Sequence, residues 1–251
     1  MRAFTQAWIF GSTIRFTLNK LLGDILSNRW TKIVVFAACL VPFVLLAWPF
    51  YKLLTTGNAP ELGANPVEYI THYTGTWTIR FLLITLCVTP FRKIFNQPRL
   101  VRYRRMLGLF AFFYVCLHFM TWFILDKSFS VPDMWADILK RRYITVGMLG
   151  FALLLPLAVT STAGWVRRMG FVKWQRLHRL IYFAALAGVI HYMWLVKSDE
   201  RLPLMYGAIL AVLMLYRFFI WKQIPPKRAV SNPAAGPRTA ATTPSTASLP
   251  D

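Results

Sequence analysis

The sequence predicts an all-α, polytopic membrane bundle of six transmembrane helices with both termini in the cytoplasm. Three observations carry that reading. The chain is 57% hydrophobic and only 15% charged. Six apolar segments each approach the ~20 residues that cross a hydrocarbon core. The basic residues crowd into alternate loops. A net charge of +20 over 251 residues would by itself suggest a nucleic-acid binder, but such proteins reach it through a polar, Lys/Arg-rich surface. Here long stretches carry no charge at all, so a soluble basic protein and a nucleic-acid partner are excluded.

Residues 1–30 read as an extension: Ile14, Leu18, Leu21, Leu22 and Ile25 recur at helical spacing opposite Arg15, Asn19, Lys20 and Asp24, the pattern of an interfacial amphipathic helix. They lack the short apolar core and small-residue cleavage site of a signal peptide. The six-helix domain occupies residues 31–222. Its spans fall at residues 33–50, 70–91 (containing Arg80), 106–125, 143–166, 180–196 and 202–221 (containing Arg217). Arg217 lies close enough to Lys222 to snorkel to the interface. Residues 223–251, rich in Pro, Ala, Ser and Thr and without an apolar period, read as a disordered cytoplasmic tail.

Charge sets the orientation. Twenty Lys and Arg residues fall before span one, between spans two and three, between spans four and five, and after span six, against Asp24 and Asp251 alone. The opposite loops hold seven basic and seven acidic residues, which cancel. Lys and Arg in short loops stay cytoplasmic, so the +20 is a topology signal.

The three cysteines fall within spans and form no CxxC or CxxCH, which argues against thiol redox chemistry, covalent haem and an iron–sulfur cluster. The histidines say more. His118 and His191 sit roughly 12 and 9 Å inside the outer boundary of spans three and five, level with each other, at about 1.5 Å per residue. Ligating side chains at such depth are costly enough to point to function. Two neutral imidazoles at one depth on two helices are what a six-coordinate b-type haem requires. The aromatic neighbours Phe112, Phe113, Tyr114, Phe119, Trp122, Tyr182, Phe183, Tyr192 and Trp194 suit a large planar ring. The competing reading is ordinary packing, each histidine bonding a neighbouring hydroxyl.

His178, about 20 Å lower and some 140° around span five, would need a partner where span three has Arg104 and Arg105, which disfavours a second bis-His haem. It contacts a flavin, a quinone or a propionate, or else bonds backbone at the interface. Arg80 must be paired within the bundle or reach a wet surface, and a haem propionate or a helix carbonyl would serve. His72 reads as a solvated loop residue.

The segments RRMLGLFAFFYVCLHF and, sixty residues later, WQRLHRLIYFAALAGVIHYMW closely resemble the ferric-reductase-like transmembrane family. Within it they are most similar to the haem-binding membrane subunits of bacterial periplasmic methionine-sulfoxide reductase systems, over roughly residues 30–222. The resemblance implies a multi-pass inner-membrane protein carrying haem b and FMN. It implies electrons taken from the respiratory chain through the quinol pool and passed to a periplasmic molybdenum-containing catalytic subunit that repairs oxidised methionine. It places His118 and His191 at the haem-ligand positions and His178 at the family's third important histidine. Two-haem ferric reductases carry paired histidines on both ligand helices and a C-terminal flavin and nicotinamide domain; this chain has neither. No Gly-rich fingerprint is present, so FMN phosphate would meet Arg104, Arg105 and the Arg167–Arg179 loop, including Arg176, with Trp174 to stack. No catalytic residue is assigned, and the chain reads as an electron-transfer subunit. The alternatives are a membrane cytochrome reducing iron or another small acceptor directly, and a haem-free transporter or assembly anchor. The absence of any intramembrane carboxylate speaks against the last.

Overall fold

The computed structural model describes residues 20–196 and 199–223. The expected amphipathic helix straddles the edge of that range: residues 20–27 are helical, while Ile14, Leu18 and the tail from residue 224 onward lie outside the described residues. Every regular element described is helical.

The first long helix, α1 (Arg29–Thr56), starts where the Asn28 side chain accepts the Trp30 N–H at 3.1 Å and stops at Gly57, whose φ of 65° permits the left-handed cap. Pro42 and Pro49 interrupt it. The break at Pro42 is repaired from outside: the Tyr114 hydroxyl accepts the Phe43 N–H at 3.0 Å and donates to the Cys39 carbonyl at 2.9 Å. Those are the two groups an unbroken helix would pair with each other. Helix α2 (Pro66–Ile94) opens on a proline with Asn65 as cap, its side chain bonding both the Glu68 N–H and the Glu68 carboxylate. Helix α3 (Val101–Met120) widens into a π-helical turn, Thr121–Asp126. A short helix, α4 (Val131–Lys140), leads into α5 (Arg142–Val159).

The sequence predicts that the fourth span continues to residue 166, but α5 ends at Val159. Pro156 lacks the N–H to continue the ladder, and the Thr160 and Ser161 hydroxyls fold back onto the Pro156 and Leu157 carbonyls at 2.6 Å each. Thr162 then caps a separate short helix, α6 (Ala163–Met169). A Gly170 hinge leads to α7 (Phe171–Leu177), and α8 (Leu180–Leu195) and α9 (Arg201–Gln223) complete the described chain.

Among the described residues, five helical segments are long and apolar enough to cross a membrane: Arg29–Thr56, Pro66–Ile94, Pro98–Asp126, Arg142–Val159 and Arg201–Ile220. The segment expected as the fifth span folds as α8, 16 residues, or about 24 Å of helix. Its apolar character is unbroken, but it is the shortest of the set.

Two helix pairs form the centre, α2 against α3 and α5 against α8, with α1 flanking α3 and α9 flanking α8 and α2. Small residues allow the second pair to close: a Cβ at Gly150 would stand 3.5 Å from the Ala187 Cβ, and Ala184, Ala185 and Ala187 are all buried. On the flank, Val34, Val44, Leu45 and Leu54 are more than half exposed, as suits a surface facing lipid. The bundle has a basic end, carrying Arg92, Lys93, Arg99, Arg102 and the 163–179 segment, and a mixed-charge end, carrying the 57–65 and 126–142 loops. Residues 20–27 dock at the basic end. Leu26 accepts the Tyr103 hydroxyl at 2.9 Å, and Asp24 meets Arg99 at 3.4 Å.

Candidate functional site

His118 on α3 and His191 on α8 come together between the two helix pairs, ring centres 6.0 Å apart and planes at 83°. Each ring is held the same way. His118 Nδ1 lies 2.9 Å from the Thr71 carbonyl of α2, and His191 Nδ1 lies 2.6 Å from the Tyr143 carbonyl of α5. A carbonyl can only accept, so both Nδ1 atoms carry the proton and both Nε2 atoms keep a free lone pair.

The backbone is shaped for this. Four residues after each carbonyl stands a glycine, Gly75 after Thr71 and Gly147 after Tyr143, and each histidine ring occupies the space a side chain would take. A Cβ at Gly75 would come within 3.0 Å of the His118 ring, and one at Gly147 within 2.7 Å of His191 Nδ1. One helix of each pair therefore supplies the carbonyl and the gap, and the other supplies the imidazole.

Around the two rings lies a cavity of about 480 Å³, within the range of small-molecule and cofactor sites. Phe119, Trp122, Tyr143, Phe151 and Tyr192 supply its aromatic wall. Of the other aromatics the sequence places near the ring, Tyr114 instead plugs the break in α1, Phe113 packs on Phe43 at 5.4 Å, and Phe183 and Trp194 turn outward. Among the described residues no group of three or more His, Cys, Asp or Glu could hold a bare metal ion. Two facing imidazoles suit instead an iron whose remaining positions a macrocycle fills. At about 2 Å per metal–imidazole bond and ~1 Å more to each ring centre, such an iron sets the rings about 6 Å apart. The donor set, the spacing and the aromatic wall fit a haem.

At the basic end a second cluster forms. The Trp174 ring lies 4.0 Å from His178, Trp174 Nε1 donates to the Thr160 carbonyl at 2.9 Å, and His178 Nε2 pairs with the Thr160 hydroxyl at 3.1 Å. Burial, and after it the positive charge of Arg104, lower the His178 pKa. Of the residues the sequence groups for a flavin, the structure brings Trp174 and His178 together, with Arg104 close enough to act on His178 through its charge, while Arg105 and Arg176 are exposed. Arg80 is not in the cavity wall. Its Nε donates to the Tyr206 hydroxyl at 2.9 Å and its guanidinium lies 4.8 Å from the centre of the Trp77 ring.

Arg217 does not snorkel. It turns inward to the Tyr182 hydroxyl, the Leu86 carbonyl and Thr89, the last two at 3.2 Å. Three polar groups inside the bundle outweigh the reach to the interface. His72 lines the mouth of the cavity beside Glu68, 3.9 Å away, rather than a free loop. The glycine and carbonyl pairs escaped sequence reasoning, although the repeated spacing of four residues, Thr71 to Gly75 and Tyr143 to Gly147, was there to be read.

Residues 74–189 match the family model described as the ferric reductase like transmembrane component. The chain is 50% identical over 189 residues to the protein-methionine-sulfoxide reductase heme-binding subunit MsrQ of Caulobacter vibrioides, covering 75% of this chain and 86% of the relative. It is 48% identical to the protein of that name in Herminiimonas arsenicoxydans, covering 77% and 88%. It is 47% identical to that of Xanthomonas euvesicatoria pv. vesicatoria, covering 82% and 95%.

Proposed function

This chain belongs to the ferric-reductase-like transmembrane family, alongside the heme-binding subunits of protein-methionine-sulfoxide reductases, and from that premise we propose that it is a haem b electron-transfer subunit. It is a multi-pass protein of the bacterial inner membrane. The observation that carries the proposal is the His118–His191 pair, two Nε2 lone pairs presented to one cavity by identical local devices.

A bound haem supplies a one-electron ferric/ferrous couple. The protein's part is to position and insulate it. The Nδ1–H bonds to Thr71 and Tyr143 fix each ring's tautomer and orientation and raise its basicity as a ligand. Gly75 and Gly147 let the rings lie against the opposite helices. The aromatic and aliphatic wall would keep water from a bound haem and thereby tune its potential.

The finer reading places the basic end in the cytoplasm, with α8 as a sixth span, because the sequence assigns twenty basic residues to the segments on that side of the spans. Electrons enter at that end from the quinol pool, with FMN met by Arg104, Arg105 and Arg176 and stacked on Trp174; the juxtaposition of Trp174 and His178 at the basic end supports this. They leave at the mixed-charge end to a periplasmic molybdenum-containing catalytic subunit that reduces methionine sulfoxide, a role supported by the relatives' names.

A reduced-minus-oxidised visible spectrum of the detergent-purified protein, with haem and released flavin quantified on the same sample, tests the reading. One six-coordinate b-type haem per chain is expected, lost in His118→Ala and in His191→Ala. A full haem complement in either variant would overturn the ligand assignment.

A further inference from the structure

The haem cavity is polarised along its length. Toward the basic end its wall is Ile79, Leu82, Val115, Leu154 and Ala184, with no charge. Its charged residues and its one further histidine, namely Glu68, Asp126, Arg141 and His72, all stand at the mixed-charge end. A haem carries two carboxylate arms, and an ionised carboxylate cannot end among aliphatic side chains without a large desolvation cost. The arms must therefore point to the mixed-charge end. There Arg141 is the permanent cation of the wall.

We propose that Arg141 is the propionate-binding residue, a role the sequence offered to Arg80 alongside pairing with a helix carbonyl. This rests on the haem reading above. Three observations support it. The Arg80 guanidinium is engaged outside the cavity by Tyr206 and Trp77. Arg141 is anchored beside the cavity by its neighbours: its Nη1 donates to the Tyr143 hydroxyl at 3.0 Å and its Nε lies 3.4 Å from Asp137. Asp137 is also met by Lys127 at 2.5 Å, which in turn reaches Asp126 at 3.2 Å. Arg141 therefore shares Asp137 with a second cation, and its planar fork retains donors for a carboxylate.

The acids at the mouth sharpen the case. With Glu68 and Asp126 in the same wall, an ionised propionate lacking the guanidinium would face like charge. The arrangement also ties Arg141 to the iron through a short path, since Tyr143, whose hydroxyl it holds, supplies the carbonyl that orients His191.

The test is the midpoint potential of the full-length, haem-loaded protein in detergent, measured by spectroelectrochemical titration for wild type, Arg141→Gln, Arg141→Lys and Arg80→Gln. An unneutralised propionate opposes uptake of an electron, so Arg141→Gln should lower the potential by about a tenfold change in the one-electron equilibrium constant, roughly 59 mV. Arg141→Lys should recover part of the shift, and Arg80→Gln should stay near wild type. Tyr143→Phe, which removes the hydroxyl but keeps the carbonyl on His191, separates a propionate effect from a ligand-orientation effect: it should shift the potential much less than Arg141→Gln.

If Arg141→Gln retains too little haem to titrate, reconstitution with haem dimethyl ester decides the question. The uncharged ester should bind wild type and variant alike, and a persistent difference would overturn the proposal. So would a wild-type potential in Arg141→Gln, or a larger shift in Arg80→Gln. Absence of haem from the wild-type protein would overturn the haem reading itself, and with it this one.

Discussion

The bundle holds imidazoles in two ways, and the contrast between its two ends shows what makes a buried histidine available to a metal. Toward the mixed-charge end, His118 and His191 each spend Nδ1 on a backbone carbonyl and keep Nε2 free, with a glycine under the ring. At the basic end, His178 spends Nε2 on the Thr160 hydroxyl and lies against Trp174. The residue type is the same, and burial differs only in degree. On the proposed reading, what would separate a ligand from a packing residue is which nitrogen the surrounding chain consumes.

The sharpest way to break this comparison is to remove the imidazoles at each end. His118→Ala or His191→Ala should eliminate the haem, whereas His178→Ala should leave most of it in place and slow reduction by the donor. Pyridine haemochrome stoichiometry and stopped-flow reduction of each variant measure the two effects. Equal haem loss in all three variants would mean that the basic-end histidine is also a ligand. Next in size are the glycines. Gly147→Ala puts a methyl 2.7 Å from His191 Nδ1, and Gly75→Ala puts one 3.0 Å from His118. Backbone on one side and a constrained ring on the other leave little room to yield. Haem affinity should fall by about 10–100-fold, the usual cost of disturbing the group that orients a metal ligand, and more for Gly147 than for Gly75. Haem titration of the two apoproteins ranks them, and unchanged affinity in both would show that the rings do not need the gap.

This division also explains what the sequence could and could not show. Helical class, membrane spans and the level of His118 and His191 follow from hydropathy, charge and a fixed rise per residue, all of which are properties of the chain taken along its own axis. The pairing of a ring on α3 with a glycine on α2 is a property of two helices meeting, and nothing in either segment alone reveals it. Arg80 and Arg217 fell on the wrong side of that line. Their depths were legible, but their directions depend on Tyr206 and Tyr182, residues more than thirty positions away in sequence that the fold brings alongside. The end of α5 at Val159 lay between the two cases, because Pro156 and the Thr160–Ser161–Thr162 run announce a break locally.

If the cavity is set by these local devices rather than by the packing of the whole bundle, a defect elsewhere should cost stability without costing haem. Tyr114 offers that separation. It lies one helical turn before His118, but its hydroxyl serves α1, bridging Phe43 and Cys39 across the Pro42 break. Tyr114→Phe leaves a part-buried N–H and a buried C=O without that partner, at a cost of about 1–3 kcal/mol. The melting temperature in detergent should drop while haem per chain stays at the wild-type value. A parallel loss of haem would tie the site to α1 and weaken the local account.

The smallest effect belongs to the basic end, and it turns on the proton His178 does not take. Burial, with Arg104 adding to it, holds the folded ring below the 6.5 of a free imidazole. As pH falls through about 6.5, the unfolded chain binds a proton that the folded chain refuses, so stability present above that pH is progressively lost below it. His178→Gln keeps a hydrogen-bonding group near Thr160 and removes the titration. Between about pH 7 and pH 5.5 the melting temperature of wild type should therefore fall more steeply than that of the variant. The comparison cancels the carboxylates, which titrate in both proteins. Parallel curves would mean that the ring binds its proton equally well in the folded and unfolded chains, so that burial and Arg104 do not hold it neutral.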